Sequence, residues 1–89
     1  IERAVRLQPN LAQAHFNLGI VYVKLKKYKE AVQSSEQAVR LEPYNADMRI
    51  GLGDALWWRN KYDEAITQMR EAVRLQPQNA RARLFLGQL

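Results

Sequence analysis

An internal repeat with a period of 34 residues is the feature of this sequence that most constrains its fold. Two short segments recur at that spacing: Leu-Gly at 18–19, 52–53 and 86–87, and Ala-Val-Arg-Leu at 4–7, 38–41 and 72–75. A proline lies two residues after each copy of the second segment. Units of this size cannot bury their apolar faces alone, so the chain is predicted to stack its repeats around a continuous core.

The repeat divides the chain into two full units, 12–45 and 46–79, and two half units, 1–11 and 80–89. Each full unit contains two segments with helical periodicity. In the first segment of the first unit, the residues predicted to face the core are Ala14, Leu18, Val21, Tyr22 and Leu25. In the second segment, which has polar residues on its other face, they are Tyr28, Ala31, Val32, Ser35, Ala38 and Val39. Sustained alternation of apolar and polar residues is absent, so strands are not predicted.

Residues that favour helix ends lie between these segments. A residue before a proline is disfavoured in the helical conformation, so helices are predicted to end by Glu42 and Gln76. Asn45 and Asn79 are placed to cap the helix that follows each of them. Asn60 suits the left-handed conformation that joins one helix to the next. Connections this short make neighbouring helices antiparallel.

These residues together resemble the tetratricopeptide repeat, whose pattern is W-x2-L-G-x2-Y, then A-x3-F, then P, in about 34 residues. The matching positions are Leu18-Gly19, Tyr22, Ala31, Pro43, Leu52-Gly53, Ala65 and Pro77. The Trp of the pattern is replaced by His15, Arg49 and Arg83, and the Phe by Ser35 and Met69. The resemblance covers essentially the whole chain. It implies an all-α fold, a right-handed α-solenoid of antiparallel helix pairs with about six helices.

Small residues at fixed positions of the repeat have a predicted structural role. Gly19 and Gly53 lack side chains, and Ala31, Ala38, Ala65 and Ala72 have small ones. Glycine within a helix costs roughly 1 kcal/mol relative to alanine, so its recurrence implies a compensating gain in packing. We therefore expect the two helices of each unit to approach closely at these positions.

The resemblance further implies that the first helix of each unit lines a concave groove that binds a partner. The expected partner-binding residues are Gln13, Phe16, Asn17, Ile20, Val23, Lys24, Asp47, Ile50, Asp54, Trp57, Arg81, Leu84 and Phe85, with Gly51 and Gln88 on the same face. Adjacent helical residues point about 100° apart, so Trp57 and Trp58 cannot both face the groove, and Trp57 is the preferred choice.

The first helical segment is apolar nearly all round, because Phe16, Ile20 and Val23 lie off its predicted core stripe. Two explanations are open: neighbouring helices cover these side chains, or they form an apolar groove for a partner's helix or extended peptide. Some tetratricopeptide repeats grip a terminal carboxylate with Lys, Asn and Arg. Where the first Lys and Asn would lie, this sequence has Phe16 and Ile20. If Asn17 is taken as the Asn instead, the next unit has Asp47 and Gly51 where Lys and Arg are needed, so such a clamp is not expected.

The residue inventory argues against several other functions. The chain has no cysteine and one histidine, so thiolate metal sites, disulfides and paired-imidazole sites are excluded. Without cysteines, the sequence does not indicate the redox compartment. His15 has no Asp or Ser partner at a defined spacing, and the glycines lie within helices rather than in a phosphate-binding loop. We expect no enzymatic activity, no bound metal and no cofactor. No apolar run is long enough for membrane insertion.

The sequence thus predicts a scaffold for protein–protein interaction that binds a protein or peptide mainly by apolar contacts. The charged groove residues expected to supply selectivity are Lys24, Asp47, Asp54 and Arg81. One alternative is RNA binding, although the net charge of +5 is spread along the chain. A second alternative is a structural or self-association module, driven by Leu84, Leu86 and Leu89 at an uncapped end. The sequence begins at Ile1 and is expected to be part of a longer chain.

Overall fold

The computed structural model describes residues 11–87, which form five α-helices. They are α1 (Leu11–Lys24), α2 (Tyr28–Leu41), α3 (Ala46–Trp58), α4 (Tyr62–Leu75) and α5 (Ala80–Gly87). The most extensive packing is within the pairs α1–α2 and α3–α4, while α2 packs on α3 and α4 on α5. The predicted all-α solenoid of helix pairs is confirmed. The helix predicted within residues 1–11 lies, apart from Leu11, outside the described residues.

The turns inside the two pairs have the same backbone geometry. Lys26 and Asn60, which occupy equivalent positions of the repeat, have positive φ angles of 63° and 69°. The amide of the residue after each donates to a carbonyl five residues earlier, at 2.8 and 2.9 Å. This arrangement closes the C-terminal ends of α1 and α3. The prediction for Asn60 is confirmed, whereas the same conformation at Lys26 was not predicted.

The turns between the pairs are set by asparagine and proline. The side chain of Asn45 accepts a hydrogen bond of 3.1 Å from the amide of Met48, and that of Asn79 accepts one of 3.2 Å from the amide of Ala82. Both asparagines therefore cap the following helix, as predicted. The preceding helices end at Leu41 and Leu75, before the prolines, which is also as predicted.

The face of α2 that packs against α1 and α3 was predicted correctly. Its buried residues are Ala31, Val32, Ser35, Ala38 and Val39. The recurring alanines of α2 and α4 have no exposed surface. A Cβ at Gly19 would lie 2.6 Å from Ser35 Oγ, and one at Gly53 would lie 2.9 Å from Met69 Cε. The absence of a side chain at these two glycines is thus what lets each helix pair close.

The predicted core stripe of α1 is wrong for four of its residues. Ala14, Leu18, Val21 and Leu25 are exposed, with Leu18 at 44%, and Tyr22 is half-buried. The corresponding residues of α3, such as Leu52, are buried because α2 packs on that side of α3. Within residues 11–87, α1 contacts α2 and α3 by its other faces, through Ala12, Phe16, Gly19, Tyr22 and Val23.

Candidate partner-binding cleft

A cleft of about 250 Å³ opens between α1, α2, α3 and α5. Its lining residues are Phe16, Gly19, Ile20, Val23, Lys24, Ser35, Gly51, Asp54, Trp58 and Arg81. All of them except Ser35 belong to α1, α3 and α5, the first helices of their units. The cleft therefore lies on the side of the solenoid where the sequence predicts a groove.

Small residues form the floor of this cleft. Gly19 and Ser35 face each other across the α1–α2 contact, where a larger side chain would fill the space. On α3, Gly51 allows the ring of Phe16 to lie against the helix, since a Cβ at Gly51 would be 2.7 Å from a ring carbon. Phe16 consequently packs along α3 as one wall and leaves the centre of the cleft open.

One repeat later, the equivalent space is filled by large side chains. Met69 stands at the position of Ser35 and is fully buried. Phe85 stands at the position of Gly51 and Trp57 at that of Val23, and their rings meet edge to face with centroids 5.2 Å apart. The residues around the cleft in the first register are thus smaller than their counterparts one repeat later.

The charged groups of the cleft come from different helices. Arg81 Nη2 on α5 donates to Asp54 Oδ2 on α3 at 2.9 Å, and the exposed Lys24 belongs to α1. Burial raises the pKa of the Asp54 carboxyl above its ordinary value of 3.8, and the nearby Arg81 guanidinium opposes that rise. Asp54 is thus a carboxylate held partly away from water and compensated by one cation.

Trp58 supplies the aromatic surface at the rim of the cleft. Its ring stacks on that of Tyr28, with centroids 5.8 Å apart and an interplanar angle of 13°, and the residue is 54% exposed. Trp57 points to the other side, where its ring packs edge to face on Tyr62 at 4.6 Å as well as on Phe85. Trp58, not Trp57, therefore lines this cleft, while Trp57 is half-buried against Tyr62 and Phe85 and its contact with a partner stays a prediction.

Comparison with known proteins identifies the family. A family model described as tetratricopeptide repeat matches residues 22–89, and a second model of the same description matches residues 1–33. The chain belongs to the tetratricopeptide repeat family. Domains of this family generally serve as scaffolds for protein–protein interaction. No curated protein gives a significant sequence match.

Solved structures similar to this tetratricopeptide repeat chain include two forms of MamA and a plant domain. MamA 41-end from Desulfovibrio magneticus RS-1 is 30% identical with a TM-score of 0.82, covering 97% of this chain and 49% of its own. The MamA RS-1 ArsTM double mutant has the same identity and TM-score, with 48% of its own chain covered. The Arabidopsis OM64 TPR domain is 25% identical with a TM-score of 0.83, covering 96% of this chain and 70% of its own. The chain spans about half the length of the MamA chains it matches.

Six of the predicted partner-binding residues of this tetratricopeptide repeat chain line the cleft: Phe16, Ile20, Val23, Lys24, Asp54 and Arg81. Gly51, predicted on the same face, lines it too. Gly19 and Ser35 were not predicted as site residues. The signal for Ser35 was present in the sequence, because it replaces the large Phe of the family pattern at a position that packs between helices.

The remaining predicted site residues lie away from the cleft. Ile50 is 1% exposed and packs in a core cluster with Met69, so the expectation that it contacts a partner is wrong. Phe85 is half-buried against Trp57. Gln13, Asn17, Asp47 and Leu84 are exposed. Gln88 lies outside the described residues.

Three of these exposed residues make side-chain hydrogen bonds. Gln13 donates to Asn17 at 3.0 Å along α1, and Asn79 donates to Asp47 at 3.5 Å.

Among residues 11–87, no group of three or more histidine or carboxylate side chains is arranged to hold a metal ion. No helix in that range is both long and apolar enough to cross a membrane.

Proposed function

We propose that this chain binds a protein partner by accepting one large apolar side chain of the partner into the cleft. The single observation that carries this proposal is the unfilled space above Gly19 and Ser35, which Met69 fills in the next repeat. In this space, an apolar side chain of the partner would make contacts like those that Met69 makes within the fold. Burying such a side chain contributes about 1.5–3 kcal/mol, enough for an interface anchor.

The walls of the cleft suit such an anchor. Phe16, Ile20 and Val23 provide aliphatic and aromatic surface on α1, and Trp58 provides an exposed ring on α3. Peptide segments with one or two apolar anchors are a common ligand for grooves between helices. The proposal makes binding, rather than catalysis, the function of this face.

The test is to fill the cleft by Ser35→Met, because methionine is the residue at the equivalent position of the next repeat. Peptides that bind the wild-type chain are first selected from a displayed library of random dodecapeptides. Their affinities are then measured by fluorescence anisotropy for wild type, Ser35→Met and Ser34→Met. Ser34 is the neighbouring serine of α2 and does not line the cleft, so it gives a matched control.

We expect Ser35→Met to weaken binding by about tenfold or more, corresponding to the loss of one anchor, and Ser34→Met to leave binding unchanged. Circular dichroism and thermal melting verify that both variants keep the helical fold. Equal affinities for wild type and Ser35→Met, or a selection that yields no binding peptide, would contradict the proposal.

A further inference from the structure

We infer that the partner carries acidic residues beside its apolar anchor, and that these residues lie along the edge formed by the α1–α2 and α3–α4 turns. This inference rests on the proposed function, because the anchor in the cleft fixes where the flanking residues run. It assigns a chemical class to the partner, an acidic peptide segment, and it adds a second contact surface outside the cleft.

The two turns lie side by side. Tyr28 is the first residue of α2 and Trp58 the last of α3, and the stacking of their rings brings these two helix ends together. The turn at 25–27 therefore adjoins the turn at 59–61. Residues 24–30 and 59–64, which include both turns, form one continuous surface, here called the basic edge.

The basic edge has an excess of positive charge. Its basic residues are all exposed: Lys24, Lys26, Lys27, Lys29, Arg59 and Lys61. Its acidic residues are Glu30, Asp63 and Glu64, and the last of these lies 3.9 Å from Lys61. The basic edge thus holds six basic and three acidic residues, whereas the rest of residues 11–87 holds six basic and five acidic residues. Most of the net positive charge of the described fold therefore lies on this edge.

The basic edge is continuous with the cleft. Lys24 and Trp58 belong to both, so a chain leaving the cleft on that side passes directly over the α1–α2 turn. Between α3 and α5, the charge of Arg81 is already matched by Asp54. Charge complementarity therefore favours acidic residues on the side of Lys24, where the cations outnumber the acids.

The same observations favour an acidic peptide over nucleic acid. The cleft is lined mainly by apolar side chains, and its Arg81 is already paired with Asp54, so it offers little positive charge to a phosphate backbone. Three carboxylates are interspersed among the cations of the basic edge, and one face of the exposed Trp58 ring is already covered by Tyr28. Separate lysines can each pair with one carboxylate side chain, whereas nucleic acid binding usually requires an uninterrupted basic track.

The experiment uses the same dodecapeptide selection and adds two charge-reversal variants. The first is Lys27→Glu/Arg59→Glu, on the basic edge. The second is Arg40→Glu/Arg70→Glu, which changes the net charge equally but reverses exposed residues of α2 and α4 away from the cleft. A mixed-sequence single-stranded RNA of 12 nucleotides is tested as a competitor of the bound peptide.

We expect the selected peptides to be enriched in Asp and Glu within about five residues of an apolar residue. The edge variant, Lys27→Glu/Arg59→Glu, should bind them about tenfold more weakly than wild type, and the control variant, Arg40→Glu/Arg70→Glu, less than about threefold more weakly. The affinity of the wild type should fall as salt is added. Replacing the acidic residues of a selected peptide by lysine should reverse the order of wild type and edge variant.

The outcomes separate this inference from the proposed function. If Ser35→Met weakens binding but the peptides lack acidic residues or the edge variant binds them normally, the inference is overturned and the cleft proposal stands. If the edge variant weakens binding and Ser35→Met does not, the cleft is not the anchor and both statements fall. RNA that displaces the peptide and binds the wild type more tightly than any selected peptide would overturn the inference in favour of a nucleic acid partner.

Discussion

Arg49 Nε donates a hydrogen bond of 3.0 Å to the carbonyl oxygen of Pro43, six residues earlier in the preceding turn. Its Nη1 donates to Gln68 on α4 at 3.0 Å. One repeat later, Arg83 Nη1 donates to the carbonyl of Pro77 at 2.8 Å. The arginines that replace the Trp of the family pattern thus connect each turn to the helix after it by hydrogen bonds.

Arg49→Leu is expected to lower the free energy of unfolding by about 1–2 kcal/mol. The variant keeps a side chain that favours helix but loses both hydrogen bonds, each contributing about 0.5–1.5 kcal/mol. The measurement is urea denaturation followed by circular dichroism. Arg70→Leu, at an exposed position of α4, is the matched control and should change stability by less than about 0.5 kcal/mol. Equal stability of the two variants would show that the contacts of Arg49 contribute nothing.

Gly53→Leu is expected to destabilise the fold by about 1–3 kcal/mol or more, because the side chain would overpack the α3–α4 contact. A Cβ at Gly53 would already lie 2.9 Å from Met69 Cε and 3.3 Å from the backbone oxygen of Ala65. Gly87→Leu is the control, since nothing lies within 4 Å of a Cβ built there. Thermal melting should show a lower midpoint for the first variant and no decrease for the second. An unchanged melting curve for Gly53→Leu would argue against this helix pairing.

The fold could be predicted from the sequence because its determinants are local and repeated. Proline, the capping asparagines and the small residues of the helix contacts each act within a few residues, so their spacing alone fixes helix ends and close approaches. The buried face of α1 could not be predicted in the same way. Its periodicity is nearly uniform around the helix, and within residues 11–87 the position of α2 and α3 decides which side is covered.

The sequence predicted which helices line the candidate site, but not which positions along them are open. Which helices line the groove follows from the family pattern, and six of the predicted side chains do reach the cleft. Whether a groove position is open depends on the sizes of side chains that come together from different helices, as the contrast between Ser35 and Met69 shows. Trp58 rather than Trp57 lines the cleft for the same reason, because the large ring of Phe85 packs against Trp57.

Lys26→Asn is expected to stabilise the chain by about 0.5–1 kcal/mol, because Lys26 has a φ of 63°. That conformation is costly for residues with ordinary side chains and is tolerated better by asparagine and glycine. The equivalent Asn60 has a φ of 69°, and its side chain also accepts a hydrogen bond from Tyr62 Oη at 2.8 Å. The reciprocal variant, Asn60→Lys, should therefore destabilise. Chemical denaturation of both variants provides the check, and changes of the same sign would contradict the explanation.

Asp54→Asn is expected to raise the free energy of unfolding at pH 7, because burial raises the pKa of Asp54 by more than Arg81 lowers it. Between the ordinary value of 3.8 and the raised pKa, the folded chain binds a proton more readily than the unfolded chain. The contribution of Asp54 to stability therefore increases as the pH falls through that interval, and is least favourable at neutral pH. The amide of the variant still accepts from Arg81 but carries no charge.

The advantage of Asp54→Asn over wild type should consequently be largest at pH 7 and should shrink as the pH falls through the raised pKa toward 3.8. Urea denaturation across this range measures it. Asp63→Asn is the control, because that side chain is exposed in the first turn of α4, where a negative charge is favourable. It should give no stabilisation at pH 7. A loss of stability for Asp54→Asn at neutral pH would mean that the ion pair with Arg81 outweighs the cost of burying the carboxylate.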